Sequence, residues 1–392
     1  MNARLIRQVN TSKLFHALRQ NPACSQRDLV ALTGLDKATV STIISQLEAA
    51  DLVEKADQLS RGKVGRPETA LNIPLRAGYL LGARLEPGTI RLILSYLNGD
   101  VLARHEEHGE TDLESSIRLL SQGVEHILAQ NELTVEKVKA LGIGIPALID
   151  DTGYLVFAPN LGWRDVAIRE RLEQTFGLPI YLDNDTKAAA LAEKLFGRAQ
   201  ACQNFIFLSG HSGVGGGLYL ADTLYRGSSG LAGEIGHMTV NPEGQVCSCG
   251  NKGCLETYVS ESAILKALRE QGLDLADVWA IKARAENGDS VVMQVLENAT
   301  YYLAIALANL LSALNPEKII IGGNLAVIAP FMMPALNVEL KQRALGKPLK
   351  DCQLELSLFG SESVPMGGIA LALEGFLALP TWLTQTQFVL KE

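Results

Sequence analysis

The chain has 392 residues, 47% hydrophobic and 20% charged, a length that exceeds one small core and a composition that excludes a disordered chain. Its net charge of −8 is uneven: residues 1–75 hold 10 Lys/Arg against 7 Asp/Glu, and the other 25 basic residues face 36 acidic ones. A mildly basic front on an acidic body excludes a protein that binds nucleic acid over its whole surface and suits one polyanion-binding module on a carrier.

The first elements read as a winged helix-turn-helix. Leu5–Arg19 carries an apolar helical face through Leu5, Ile6, Val9, Leu14, Phe15 and Leu18, and Asn21-Pro22 ends it. Ser25 caps a short second helix with Asp28 three positions on, close to a capping box, and Thr33-Gly34 makes the turn. Asp36 caps a third helix over Lys37–Ala49. Its Val40, Ile43, Ile44 and Leu47 face a core and leave Lys37, Thr39, Ser41, Thr42 and Ser45 outside. Such a short, hydroxyl-rich face suits major-groove contact, and it reads also as a plain exposed face. The segment Ser60–Pro67 is a basic hairpin tip before a return strand over Thr69–Ile73. Its Arg66 suits a narrow minor groove, and the tip reads also as a solvated loop.

Beyond Pro74 the pattern turns α/β. A three-strand meander over Tyr79–Arg84, Ile90–Leu97 and Val101–His105 precedes a helix at Leu113–Ala129 and a strand at Ala140–Ile145. The theme repeats with strand Ile180–Leu182, helix Thr186–Phe196, strand Phe205–Leu208 and a Gly-rich turn into Gly217–Leu220. Helix Met293–Leu314 then leads to strand Lys318–Ile321. Two α/β lobes around a cleft follow. Tyr301–Leu314 is the longest apolar run, but Asn309 and Ser312 interrupt it, so it reads as a buried helix rather than a membrane span. The N-terminus lacks an apolar stretch with a cleavage site, so a cytoplasmic protein is expected.

Three of the six cysteines, Cys247, Cys249 and Cys254, crowd into eight positions, ten beyond His237. Clustering of this kind in a reducing compartment points to a metal rather than a disulfide framework. One imidazole and three thiolates make a closed tetrahedral set for structural zinc.

Gly213–Gly217, Arg226-Gly227, Ala232–His237 and Cys247–Glu256 closely resemble the signature of the ROK family of repressors, open reading frames and kinases. The resemblance extends over most of residues 77–375, through Gly144-Ile145-Pro146, Ala158-Pro159-Asn160 with Trp163, Asp183-Asn184-Asp185 and Ile321-Gly322-Gly323. It implies a two-lobed actin-like (ribonuclease H-like) ATPase fold. The full expectation is a winged helix-turn-helix over 1–75 and an effector domain over 76–392. Lobe one covers about 76–187 plus the C-terminal tail, and lobe two about 188–375. The front helices place the chain with the repressor branch, which answers to sugars.

The resemblance further implies that Asn160, Asn184, Asp185, Glu234, His237 and Glu256 hold sugar hydroxyls. Fixed amides and carboxylates suit the fan of hydroxyls on a pyranose. Asn184-Asp185 reads also as a helix cap, and Glu234 and Glu256 as supports of the zinc loop. Family kinases use the residue matching Asp185 as general base and carry an Asp-x-Gly-x-Thr phosphate turn between the first two strands. Here the turn reads Gly82-Ala83-Arg84-Leu85-Glu86-Pro87-Gly88-Thr89. Arg84 replaces the acid and Pro87 removes a donor. Lys187 and His211-Ser212 depart as well, and the Gly213–Gly217 run reads equally as a tight strand connection. No catalytic residue is therefore expected, Asp185 being a vestigial base.

The favoured reading is a sugar-responsive repressor, a homodimer or homotetramer on an operator in double-stranded DNA. An active sugar kinase with a fused DNA-binding domain and a ligand-free scaffold are the alternatives.

Overall fold

The computed structural model describes residues 3–59, 68–150, 152–211 and 213–378. The chain opens with helices α1 (Ala3–Gln20), α2 (Gln26–Thr33) and α3 (Lys37–Ala49), then the antiparallel strands β1 (Glu54–Leu59) and β2 (Glu68–Asn72). The Ser25–Asp28 capping box forms, Gly34 ends α2 in the left-handed conformation, and Asp36 caps α3. Val40, Ile43, Ile44 and Leu47 are buried as their spacing predicts. The hairpin tip with Arg66 lies outside the described residues, as do Ser212 and the tail beyond 378.

Lobe one comprises β3 (Tyr79–Glu86), β4 (Thr89–Tyr96), β5 (Val101–His108), α4 (Leu113–Gln130), β6 (Val138–Ile145), the small sheet β7 (Leu148–Ile149), β8 (Leu155–Ala158) and β9 (Trp163–Val166), then α5 (Ile168–Phe176) and β10 (Ile180–Asn184). Its main sheet has the order β10-β6-β3-β4-β5, parallel through β10, β6 and β3 and antiparallel beyond. The helix α6 (Asp185–Leu195) joins it to lobe two.

Lobe two repeats the plan. Strands β11 (Phe205–Gly210), β12 (Val214–Leu220) and β13 (Thr223–Leu224) form its antiparallel half. After the helices α7 (Glu256–Val259), α8 (Glu261–Glu270), α9 (Val278–Glu286) and α10 (Ser290–Leu314) comes β14 (Lys318–Gly323). Then α11 (Leu325–Arg343) and α12 (Gly346–Asp351) lead to β15 (Gln353–Leu356), and α13 (Ser363–Ala378) follows. The order β15-β14-β11-β12-β13 matches that of lobe one strand for strand, with β11, β14 and β15 parallel. Residues buried on both faces, as along Phe205–Gly210, are what a helix-covered central strand requires. Helix α10 is long and apolar enough to cross a membrane, yet Val292, Leu296, Leu303, Leu307 and Leu311 are buried in the core of lobe two, as the sequence suggests.

One boundary differs from expectation. Lobe two ends before 375, because α13 lies on the lobe-one sheet. A Cβ at Gly142 would stand 1.9 Å from the Gly368 carbonyl oxygen, so backbone meets backbone there. The front module also packs on α13. Leu14, Phe15 and Leu18 of α1 share one hydrophobic core with Ile369, Leu373 and Phe376 of α13. His16 Nε2 lies 2.7 Å from Glu374 Oε1, and Gln8 donates to the Ala378 carbonyl at 2.7 Å.

Candidate functional site

A cleft of about 500 Å³ opens between the lobes. All six residues expected to hold a sugar line it: Asn160, Asn184, Asp185, Glu234, His237 and Glu256. The end of a parallel strand places two of them, Asn184 and Asp185; Asn160 follows β8, Glu234 and His237 bound a short turn, and Glu256 opens α7. β10 delivers Asn184, whose side-chain oxygen caps α6 by accepting from the amides of Thr186 and Lys187. Asp185 follows as the first helical residue, its Oδ1 taking the Thr186 amide at 2.8 Å. Asn184 is therefore a helix cap, and the pair also lines the cleft. On the facing wall, Glu256 accepts the Val214 amide at 3.0 Å and so has one oxygen committed to the strand start. Burial pushes the Glu234 carboxyl above its ordinary value, against the opposing pull of His237 and Lys187. Phe157 and Pro159 add apolar surface.

His237 sits beside three sulfurs. The donor atoms of His237, Cys247, Cys249 and Cys254 all lie within 4.8 Å of one another. Cys247 Sγ is 3.6 Å from His237 Nδ1, and Cys249 Sγ is 3.7 Å from Cys254 Sγ. An ion bonded tetrahedrally at about 2.3 Å to sulfur and about 2.0 Å to nitrogen needs edges of about 3.8 and about 3.6 Å. The donor set fits. Its chemistry agrees: burial and the neighbouring sulfurs push the Cys254 thiol up to about 12, a strain that a dication would relieve by holding thiolates. The bridges Val246↔Lys252 and Thr239↔Cys254 fold the loop back so that the sulfurs converge. The other ring nitrogen, Nε2, faces the Glu234 carboxylate at 4.0 Å, so His237 spans the metal set and the cleft.

The phosphate turn of the sequence is a hairpin. β3 continues through Glu86, Pro87-Gly88 makes the corner, and Gly88 has φ +69°. Arg84 is 3% exposed. It reaches Glu86 at 2.9 Å and lies 3.8 Å from Asp185, while Arg91 holds Glu86 from the other side at 3.0 Å. His211 also lines the cleft. Burial lowers its imidazole well below the ordinary value, with repulsion from Arg84 and Arg91, so the ring is neutral at pH 7.

The expected Gly-rich turn is instead strand. Gly215, Gly216 and Gly217 pair with β11, and a Cβ on Gly217 would stand 2.3 Å from that of Ala190 in α6. Close helix packing accounts for the last of these glycines. Of the helix-face residues, Lys37 and Thr42 are exposed, but Thr39 is half-buried and donates its hydroxyl to Asp36 at 2.6 Å.

Sequence reasoning missed two long-range ties to the loop that precedes Glu234. Arg226 pairs with the buried Asp183 at 2.5 Å, and Lys187, itself buried, donates to the Gly230 carbonyl. Both ties hold the loop that carries Glu234. The residue blocks were visible, but nothing local joins 183 to 226.

Comparison with known proteins agrees with this architecture. The profile of the MarR family matches residues 10–61. The xylose repressor of Bacillus subtilis (strain 168) is 31% identical over 379 residues, 96% of this chain and 98% of that one. A crystal structure described as a ROK family transcriptional regulator, homolog of the E. coli MLC protein, superposes with a TM-score of 0.83 at 28% identity, covering 97% of this chain and 98% of that chain. A ROK family glucokinase from Streptomyces griseus in complex with glucose and AMPPNP gives 0.67 at 25% identity over 75% of this chain and 98% of its own. The profile of the ROK family matches residues 85–374, and the chain belongs to the ROK family.

Proposed function

We propose that this protein is a sugar-responsive DNA-binding repressor of carbohydrate uptake or metabolism genes, working in the cytoplasm as a homo-oligomer. The observation that carries the reading is continuity: the helix-turn-helix shares one hydrophobic core with lobe one and α6, and α6 begins at the cleft. The xylose repressor supports a small aldose as effector. Asn160, Asn184, Asp185, Glu234, His237 and Glu256 would take its hydroxyls, and at the buried Asp185 a group left unpaired penalises a ligand lacking one.

On the DNA side, α3 enters the major groove with Lys37, Ser41 and Thr42. Thr39 joins them only by releasing its cap, and Arg66 reaches the minor groove. Zinc on His237, Cys247, Cys249 and Cys254 would fix the loop behind Glu234, a structural role with no open coordination position. Phosphoryl transfer is not part of this function, because Arg84 and Glu86 occupy each other where a nucleotide's phosphates and metal would need free groups.

The test is operator binding by the full chain across a panel of aldoses and N-acetylated sugars. A change of about tenfold or more with one sugar is the expected result, and no response to any would refute it. One observation favours a second reading, an active kinase: Asp185 remains in the cleft. ATP-dependent sugar phosphorylation that Asp185→Asn abolishes would establish it.

A further inference from the structure

Helix α6 is held at both ends by groups with other duties. At its N-terminus Asn184 is the cap, and Asn184, Asp185 and Thr186 line the cleft. At its C-terminus the carbonyl of Leu195 accepts a hydrogen bond from Arg19, which belongs to the last turn of α1 in the helix-turn-helix. A guanidinium there satisfies an orphan carbonyl and meets the negative end of the helix dipole. The same guanidinium lies 4.6 Å from the ring centre of Phe196, the C-cap residue of α6. The DNA-binding module thus supplies the C-terminal cap of the helix whose N-terminal cap faces the ligand.

The helix between is a compact rod. Ala188, Ala189, Ala190 and Ala192 are fully buried against both lobes and α13. Eleven residues span about 16 Å. A ligand hydroxyl that donates to Asn184 Oδ1 or Asp185 Oδ1 competes with the amides that now donate there, so differential binding acts first on the end of this rod. Packing without voids leaves the rod able to shift or rotate as a unit rather than to bend.

We propose that Arg19 is the positioning residue through which movement of α6 at the cleft reaches the helix-turn-helix, and so sets operator affinity. The proposal rests on the reading of the cleft as a sugar site. α1 also bonds α13 through His16 and Gln8, but α13 contributes no residue to the cleft. Those contacts hold α1 against lobe one, and Arg19 ties it to the element that ligand touches.

The test uses the full-length protein, operator DNA by fluorescence anisotropy, and D-xylose, D-glucose and N-acetylglucosamine as probes, each checked for direct binding by calorimetry. In Arg19→Gln, sugar affinity stays within about threefold of wild type while the sugar-induced change in operator affinity falls from about tenfold or more to below about threefold. Arg19→Lys keeps the charge without the planar fork. It gives an intermediate response and a second variant should Arg19→Gln fold poorly. A full response in both variants overturns the proposal.

A sugar-free arm separates it from the cleft reading. Asn184→Ala loosens the α6 cap and shifts operator affinity, and Arg19→Gln cancels that shift in the double variant. Additive effects overturn the linkage. If none of the probes binds wild type, the sugar reading is what suffers, and the cycle still decides Arg19.

Discussion

The two walls of the cleft carry similar residue types and use them differently. On the wall formed by Glu234, His237 and Glu256, carboxylates and a ring nitrogen face open space, with the backbone and the sulfur loop holding them from behind. On the hairpin wall, Arg84, Arg91 and Glu86 face one another. Charge alone therefore does not make a ligand site. What matters is whether a group's partners are already in place, because a paired charge resists giving up its partner for ligand.

That contrast predicts that the first wall depends on metal and the second on ion pairing. Cys254→Ala removes one of four donors and should have the largest effect. We expect loss of bound zinc by elemental mass spectrometry and a stability loss of about 4 kcal/mol or more in calorimetric unfolding. Retention of one metal per chain with unchanged stability would detach Glu234 and His237 from the sulfur loop and break the comparison. Arg84→Met is next. It leaves Asp185 and part of Glu86 without a buried cation, at a cost of about 3 kcal/mol read by urea denaturation. A neutral outcome would mean that the hairpin wall is held by packing alone.

Asp185→Asn sharpens the same contrast at lower amplitude. The amide can still cap Thr186 but no longer accepts as a carboxylate. Sugar affinity should fall by about 2 kcal/mol in calorimetric titration, while the unfolding temperature barely moves. A large loss of stability with unchanged affinity would assign Asp185 to the hairpin wall through Arg84 instead.

How much of this was legible beforehand depended on whether a signal was local. Ser25 with Asp28, Asp36, and the Val40–Leu47 spacing announced α2 and α3 because capping and periodicity act within a few residues. The cluster of His237, Cys247, Cys249 and Cys254 was equally legible, since three of its members fall in one short loop. The destination of α13 was not: its residues are apolar on nearly every side, and it is the absence of side chains at Gly82, Gly142 and Gly368 that lets it settle on lobe one. The glycines of β12 misled for the opposite reason. A run of glycines suggests a turn, and nothing in the string reveals that Ala190 lies against one of them. Arg19 at the end of α6 and Arg226 on Asp183 join residues far apart in the chain, which only the folded lobes bring together.

The smallest predicted effect concerns His211, where the two walls meet. Its half-buried imidazole is desolvated and repelled by Arg84 and Arg91, so its folded-state value lies well below the ordinary 6.5. The folded protein then binds this proton more weakly than the unfolded chain does. The contribution is therefore fully present above about pH 6.5 and is lost as pH falls below it, with a slope of up to about 1.4 kcal/mol per pH unit for a single group. His211→Gln keeps a hydrogen-bonding side chain toward Asn324 but cannot titrate. Unfolding measured between pH 7.5 and pH 5 should accordingly be less pH-dependent in the variant than in wild type, and the two curves should run parallel above pH 7. Identical slopes throughout would mean that the ring accepts its proton in the folded state, which requires the Arg84 and Arg91 charges to be neutralised by Glu86 and Asp185 more completely than their separations suggest.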